Sequence, residues 1–228
     1  MKGEMHRFFV DKKEDNYFIL NDETLNHIKS ARLEKDHFLC NYEGQFYECF
    51  LENKKAKIVQ KEDIFHEYKN EVILAAPIIK IKRYEWLLQK AVELGATKII
   101  PMNTKFTDQT LVKYDLKKKE DRFKEIIKNA AEQSFRNVIP EYSNIMTLSE
   151  ILTQYKDYTK YLAYENEDTQ NQIKQLKTNS IIIVGPEGGF SKEEVELAKE
   201  NGCLIVSLGK FILRAETACL YMLSNIRE

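Results

Sequence analysis

From Glu71 onward the chain alternates short apolar runs with amphipathic ones, and this alternation restricts the fold more than any other feature. "EVILAAP" reads as a compact strand stopped by Pro77. "KRYEWLLQKAVELG" then sets Tyr84, Leu87, Leu88, Ala91 and Leu94 on one helical face, with Gly95 as a C-terminal cap. "TKIIP" is a short strand, and "KKKEDRFKEIIKNAAEQSFR" places Phe123, Ile126, Ile127, Ala130 and Ala131 on one helical face. Two helices announce their starts by capping boxes, Thr147 with Glu150 and Ser191 with Glu194. "KYLAY", "SIIIV" and "CLIVSL" are strands, and "RAETACLYMLSNI" is a closing helix. Such alternation predicts an α/β domain with a mostly parallel sheet and helices on both faces.

The first third has a different rhythm. "HRFFV", "NYFIL" and "DHFLCNYEGQFYECFLEN" are short, aromatic and partly alternating, with Glu43-Gly44 as a hairpin turn. "DETLNHIKSARL" is one short helix, and "NKKAKIVQKED" is a basic run. This predicts a small barrel-like module, with its aromatics Phe8, Phe9, Phe46 and Phe50 in the core. The join near His66 to Asn70 gives residues 1–68 and 69–228 as the two domains.

Composition excludes several classes. With 43% hydrophobic and 31% charged residues, the chain carries a core under a charged surface. A net charge of -1 supplies no global attraction for nucleic acid, so any such binding needs a local patch. The four cysteines (Cys40, Cys49, Cys203, Cys219) form no C-x-x-C and sit in apolar stretches, which predicts buried free thiols. The four scattered histidines predict no metal site. No apolar run approaches a membrane span, so the expectation is a cytoplasmic protein with no membrane partner.

The eight glycines narrow the site. No G-x-x-x-x-G-K-[ST] and no G-x-G-x-x-G after the first strand of the α/β part are present, which argues against a P-loop or an ordinary dinucleotide fold. Gly185, Gly188 and Gly189 follow one strand and Gly209 follows another, where open α/β sheets bind ligands. "IIIVGPEGGFSKEE" reads like a phosphate loop, yet Glu187 stands inside it. With Glu216 nearby, it would repel a dianion. A ligand with a cationic centre, an amine and a flat heterocycle fits better, and S-adenosylmethionine has all three. Leu208, Ile212 and Leu213 supply apolar walls. The same spacing also fits an ordinary tight turn, with Arg214 and Glu216 as a surface pair.

"GPEGGFSKEE" followed by "LGKFILRAETA" resembles the paired C-terminal motifs of the RsmE family. "KRYEWLLQKAVELGATKIIP", "NAAEQSFRNVIPE" and "MHRFFV" resemble three further motifs, so the likeness spans nearly the whole chain. That family methylates N3 of a uridine in 16S ribosomal RNA and belongs to the SPOUT methyltransferases. The resemblance implies a PUA-like β-barrel RNA-binding domain, then a SPOUT-type α/β domain with a C-terminal trefoil knot. It also implies a homodimer with the cofactor site close to the subunit interface. Periodicity shows no knot, and physics runs against one. Three residues depart from the pattern: Lys35 replaces a common glycine, and Lys105-Phe106 replace Glu-Arg.

Under this resemblance the S-adenosylmethionine contacts are Leu162, Ala163, Tyr164, Gly185, Glu187, Gly188, Leu208, Gly209, Ile212, Leu213, Arg214, Thr217 and Ala218. Arg136 and Arg214 are candidates for stabilising a developing anion on uracil, with Arg136 alternatively holding a phosphate or a neighbouring acid. Glu216 is a candidate to accept the proton or to orient an arginine. The 16S rRNA contacts are His6, Arg7, Lys80, Lys82, Arg83 and Arg136, with Lys54, Lys55 and Lys57 as additions. Lys117 to Lys119 read as a solvated helix face. The competing readings are a SPOUT enzyme acting on another RNA nucleotide and a non-catalytic ribosome-assembly protein.

Overall fold

The computed structural model of the chain describes residues 5–166 and 171–228. It divides into two compact units. One holds the chain up to Glu67 together with Ala131–Ile139, and the other holds Tyr68–Ala130 and Pro140–Glu228. Residues 131–139, which sequence rhythm assigns to the α/β part, therefore belong to the small unit.

The small unit contains β1 (Arg7–Phe9), β2 (Lys13–Glu14), β3 (Tyr17–Ile19), α1 (Asp22–Ser30), β4 (His37–Tyr42), β5 (Gln45–Glu52) and β6 (Lys55–Lys61). They form one sheet in the order β1-β4-β5-β6-β3-β2. β1 lies parallel to β4, and the other pairings are antiparallel. Glu43 and Gly44 both have positive φ (51° and 79°), as a two-residue primed turn between β4 and β5 requires. The basic run Lys55–Lys61 is itself a strand, with Ala56 buried between lysines. Phe8, Phe18, Phe38 and Phe46 are buried, whereas Phe9 and Phe50 are only half-buried.

Polar bonds hold 131–139 in this unit. The Arg7 Nε donates to the Glu132 carbonyl at 2.7 Å. The Asn137 side chain donates to the carbonyls of Gly44 and Ile64, each at 2.8 Å. Glu67 accepts from the backbone N–H groups of Asn137 and Val138 and from Arg136. These long-range bonds satisfy a segment that has no ladder of its own.

The second unit runs β7 (Val72–Pro77), α2 (Ile81–Glu93), β8 (Lys98–Asn103), a π-turn at Leu111–Asp115 and α3 (Leu116–Lys118). Then come α4 (Glu120–Gln133, whose end lies in the small unit), β9 (Glu141–Tyr142), β10 (Met146–Thr147), α5 (Leu148–Gln154) and β11 (Thr159–Ala163). β12 (Leu176–Lys177), β13 (Ser180–Ile183), α6 (Lys192–Glu200), β14 (Leu204–Val206), α7 (Ala215–Ser224) and β15 (Ile226–Arg227) complete it. The main sheet is parallel in the order β10-β8-β7-β13-β11-β14, with β9 beside β8. β7 is buried along its whole length, which explains why it is apolar at every position rather than alternating. α2 buries Tyr84, Leu87, Leu88, Ala91 and Val92; Leu94 lies beyond its last turn, half-buried. After the edge strand β14, α7 returns to pack on α2, β7 and β13.

Both capping boxes are formed. The Ser191 Oγ accepts from Glu194 N at 3.3 Å, and the Glu194 carboxylate accepts from Ser191 N at 2.9 Å. This box starts α6 directly after the glycine turn and so fixes where that turn ends. Ser191→Ala is expected to cost about 1 kcal/mol of stability, measured by urea unfolding. The four cysteines are free and buried, and burial pushes the Cys203 thiol up to about 11.

Candidate active site

Three neighbouring strands, β13, β11 and β14, end on one side of the sheet, and the segments after them enclose a cleft of about 520 Å³. The site thus lies beyond the carboxyl ends of parallel strands, the general position for ligands in open α/β sheets. From the end of β11 and the residues just after it come Ala163, Tyr164 and Glu165; from the turn after β13 come Val184 to Glu187, Gly189 and Phe190. The stretch after β14 supplies Ser207 to Ala215, and α7 adds Ala218. The turn is closed by Gly189 N donating to the Pro186 carbonyl at 2.9 Å.

Electrostatics separate this cleft from a phosphate loop. Glu187 is half-exposed and accepts from Arg83 NH1 at 2.7 Å. Glu216, in the first turn of α7, is 6% exposed, and its Oε1 lies 3.8 Å from Arg83 Nε. Its Oε2 accepts no hydrogen bond among the described residues. Glu165 adds a third carboxylate, against Arg83, Arg214 and Lys210 as cations. Mixed charge with a carboxylate in the glycine turn suits a ligand bearing both signs, not a polyphosphate.

Ten of the thirteen residues expected at the cofactor line the cleft: Ala163, Tyr164, Gly185, Glu187, Leu208, Gly209, Ile212, Leu213, Arg214 and Ala218. The other three are off its wall. Leu162 is fully buried in the hydrophobic core, because its strand turns that position inward. Thr217 faces solvent on α7. Gly188 lies under Phe106, so close that a Cβ there would stand 2.8 Å from the Phe106 Cβ. Lys105, beside that phenylalanine, is engaged by Glu193 at 3.2 Å.

Arg83, expected on RNA, is a wall residue of the cleft. Lys80 and Lys82, which both precede it along the chain, are exposed. Arg136 is not on the wall: it sits in the small unit, 5% exposed and paired with Glu67 at 2.6 Å. Arg7 bonds two backbone carbonyls and lies over the Phe135 ring at 4.5 Å. His6 stands edge-on to His27, and its pKa is lowered by burial and then by the charges of His27 and Arg7. Lys55 and Lys57 pair with Glu14 and Glu52. Sequence reasoning missed Glu165, Phe190 and Ser207 as wall residues; Glu165 directly follows the strand "KYLAY", and Phe190 and Ser207 lie inside the two quoted strand-end stretches. Among the described residues no group of His, Cys, Asp or Glu is arranged to hold a metal ion, and no helix is long and apolar enough to cross a membrane.

An RNA methyltransferase domain family matches residues 66–227. The ribosomal RNA small subunit methyltransferase E of Mesomycoplasma hyopneumoniae is 41% identical, over 97% of this chain and 98% of the relative. That of Bacillus subtilis is 33% identical over 97% and 96%. The crystal structure of the Neisseria gonorrhoeae enzyme of that name, bound to S-adenosyl methionine, superposes with a TM-score of 0.84 at 28% identity, covering 97% of this chain and 96% of that one. Identity at this level, running from end to end of both chains and taking in the segments that build the cleft, settles the descent: the chain belongs to the ribosomal RNA small subunit methyltransferase E family.

Proposed function

We propose that this chain transfers a methyl group from S-adenosylmethionine to N3 of a uridine in 16S ribosomal RNA. The observation that carries the reading is a glycine turn at adjoining parallel strand ends that bears a carboxylate, Glu187, on the cleft wall. The cleft fits the donor in size and in charge. Small-molecule sites span roughly 300–1,000 Å³. Tyr164, Leu208, Ile212 and Leu213 give apolar wall for a heterocycle, and Glu165 and Glu187 give acceptors for cationic and hydroxyl groups. When bound, S-adenosylmethionine supplies an electrophilic methyl group on a positively charged sulfur.

The residues of the chain do the rest. Uracil N3 must lose a proton before it attacks, and its pKa lies about two units above neutrality, so stabilising the anion needs about 3 kcal/mol. Arg214 is assigned to that charge, a role supported by its position on the cleft wall and its lack of a side-chain cap bond at the start of α7. Glu216 is buried and off the wall, which suits orientation of Arg83 better than direct proton transfer. Arg136, anchored on Glu67, holds the 131–139 segment of the small unit. That unit takes the part of a PUA-like module that docks rRNA, and in the other unit Lys80 and Lys82 are exposed basic residues available to phosphate. The passage of the chain from edge strand β14 back to β7 and β13 supports a trefoil-knotted core. Phe211 and Ile212, 85% and 89% exposed beside the cleft, support a homodimer that covers them. The enzyme acts in the cytoplasm, where its substrate is assembled.

The test is transfer of labelled methyl groups to small ribosomal subunits from cells lacking the gene, followed by nucleoside analysis. A single labelled N3-methyluridine is expected. Label on another base would assign the chain to a different RNA nucleotide, and no label with intact donor binding would make it an assembly protein.

A further inference from the structure

Arg83 has two carboxylate neighbours and fully engages only one. Its NH1 bonds Glu187 at 2.7 Å, a single contact on a carboxylate that is 49% exposed. Its Nε stands 3.8 Å from Glu216 Oε1, beyond hydrogen-bond reach. The Glu216 side chain is 8% exposed, and its Oε2 is buried with no partner among the described residues. Buried carboxylate oxygens are almost always satisfied, so an unbonded one calls for a donor that arrives in another state. A guanidinium fork matches both oxygens of a carboxylate at once. Arg83 is the group at hand to complete Glu216, and a small rotation of its side chain would close the gap.

We propose that Arg83 is a two-position residue that exchanges carboxylates as the methyl donor binds. The inference rests on the reading of the cleft as the S-adenosylmethionine site. Arg83 neutralises Glu187 in the conformation described. A cationic ligand in the cleft needs that same carboxylate, and two cations cannot share it at full strength. Arg83 then moves to Glu216, forms a forked pair there and satisfies Oε2. The buried carboxylate therefore acts as a parking place that lowers the cost of vacating Glu187. Arg83 and Glu216 are positioning residues in this scheme, and neither transfers a proton.

The order of two substitutions tests it. Lysine at position 83 keeps a cation on Glu187 but cannot form the fork with Glu216. Glutamine removes the competing cation altogether. Titration calorimetry with S-adenosylmethionine is expected to show Arg83→Lys binding about tenfold more weakly than wild type, equal to about 1.4 kcal/mol, with Arg83→Gln binding more tightly than Arg83→Lys. Glu216→Gln is expected to weaken binding as the lysine does, and adding Arg83→Gln to it restores most of the loss. If Arg83 were a fixed contact, glutamine would be the worse substitution and the double variant would be weaker still; either result overturns the exchange. The position 83 pair leaves α7 untouched, so it decides the matter even if Glu216→Gln fails to fold. Failure of the wild-type protein to bind S-adenosylmethionine would instead overturn the reading of the cleft, and this inference with it.

Discussion

Arg136→Ala is expected to lower the unfolding free energy by about 3–5 kcal/mol, the range for breaking a buried ion pair from one side. The pair is well enclosed: the side chains of Arg136 and Glu67 are 6% and 10% exposed. Arg136 Nε lies 3.0 and 2.9 Å from the two Glu67 oxygens, and its NH2 lies 2.6 Å from Oε2. The same carboxylate accepts from Asn137 N at 2.7 Å and Val138 N at 3.1 Å. Truncating the arginine leaves a buried negative charge with two amide donors in place of a full set. Burial alone would raise the Glu67 pKa, but the bonds and charge of Arg136, with the Val138 and Asn137 amides, outweigh it and hold the carboxyl below its ordinary value. The sign of the pH dependence follows. The stabilisation is complete above the ordinary carboxyl range and is lost as pH falls through the depressed native value. Urea unfolding of wild type and variant should therefore show a gap that is widest near neutrality and narrows in acid. A gap under about 1 kcal/mol, the scale of an exposed pair, would refute the structural assignment of Arg136. So would loss of S-adenosylmethionine affinity in protein that is still folded.

That arginine also shows where reading the sequence stops. The hairpin at Glu43-Gly44 and the capping boxes at Thr147 and Ser191 are legible because each is decided within four residues. The apolar face of α2 and the buried β7 are legible because periodicity is local. Arg136 pairs with a carboxylate 69 residues away, and Asn137 reaches Gly44 across 93 residues. No window of sequence contains both ends of such bonds, so 131–139 read as the tail of a helix in the wrong unit. Arg83 is a parallel case: its partner Glu187 is 104 residues distant. A basic residue before an amphipathic helix suggests RNA, and only the folded sheet brings it to the turn after β13. β6 went unread for another reason, since three lysines in Lys55–Lys61 mask the apolar alternation of Ala56 and Ile58. The two glycine turns of the site were visible because glycine itself is the signal, while the walls between them are ordinary residues.

Gly185→Val is expected to weaken S-adenosylmethionine binding by about 100-fold or more, equal to about 2.7 kcal/mol. The reason is crowding from behind rather than a clash with the ligand. A Cβ at position 185 would stand 3.1 Å from the Gly189 carbonyl carbon and 3.1 Å from the Phe190 ring. One of these is backbone, and the other belongs to a ring that is 6% exposed and packed in the core. Neither yields easily, and overpacking of this kind costs about 1–3 kcal/mol. The turn cannot shift along the chain either, because the Ser191–Glu194 box fixes its far end and the Gly189 N bond to Pro186 fixes its middle. The displaced atoms move toward the cleft and take Glu187 out of position. Gly202→Ala is the matched control. Gly202 has a positive φ, 73°, which Gly185 does not, but a Cβ there meets nothing within 4 Å, and the residue lies outside the cleft. Alanine at 202 should cost about 1 kcal/mol of stability through backbone strain and leave donor affinity at the wild-type value. Calorimetry and thermal unfolding on both variants separate the two effects. If Gly185→Val bound the donor as tightly as Gly202→Ala, the turn after β13 could not be the element that shapes the site, since a tightly enclosed glycine on its wall would have been replaced without consequence for the ligand.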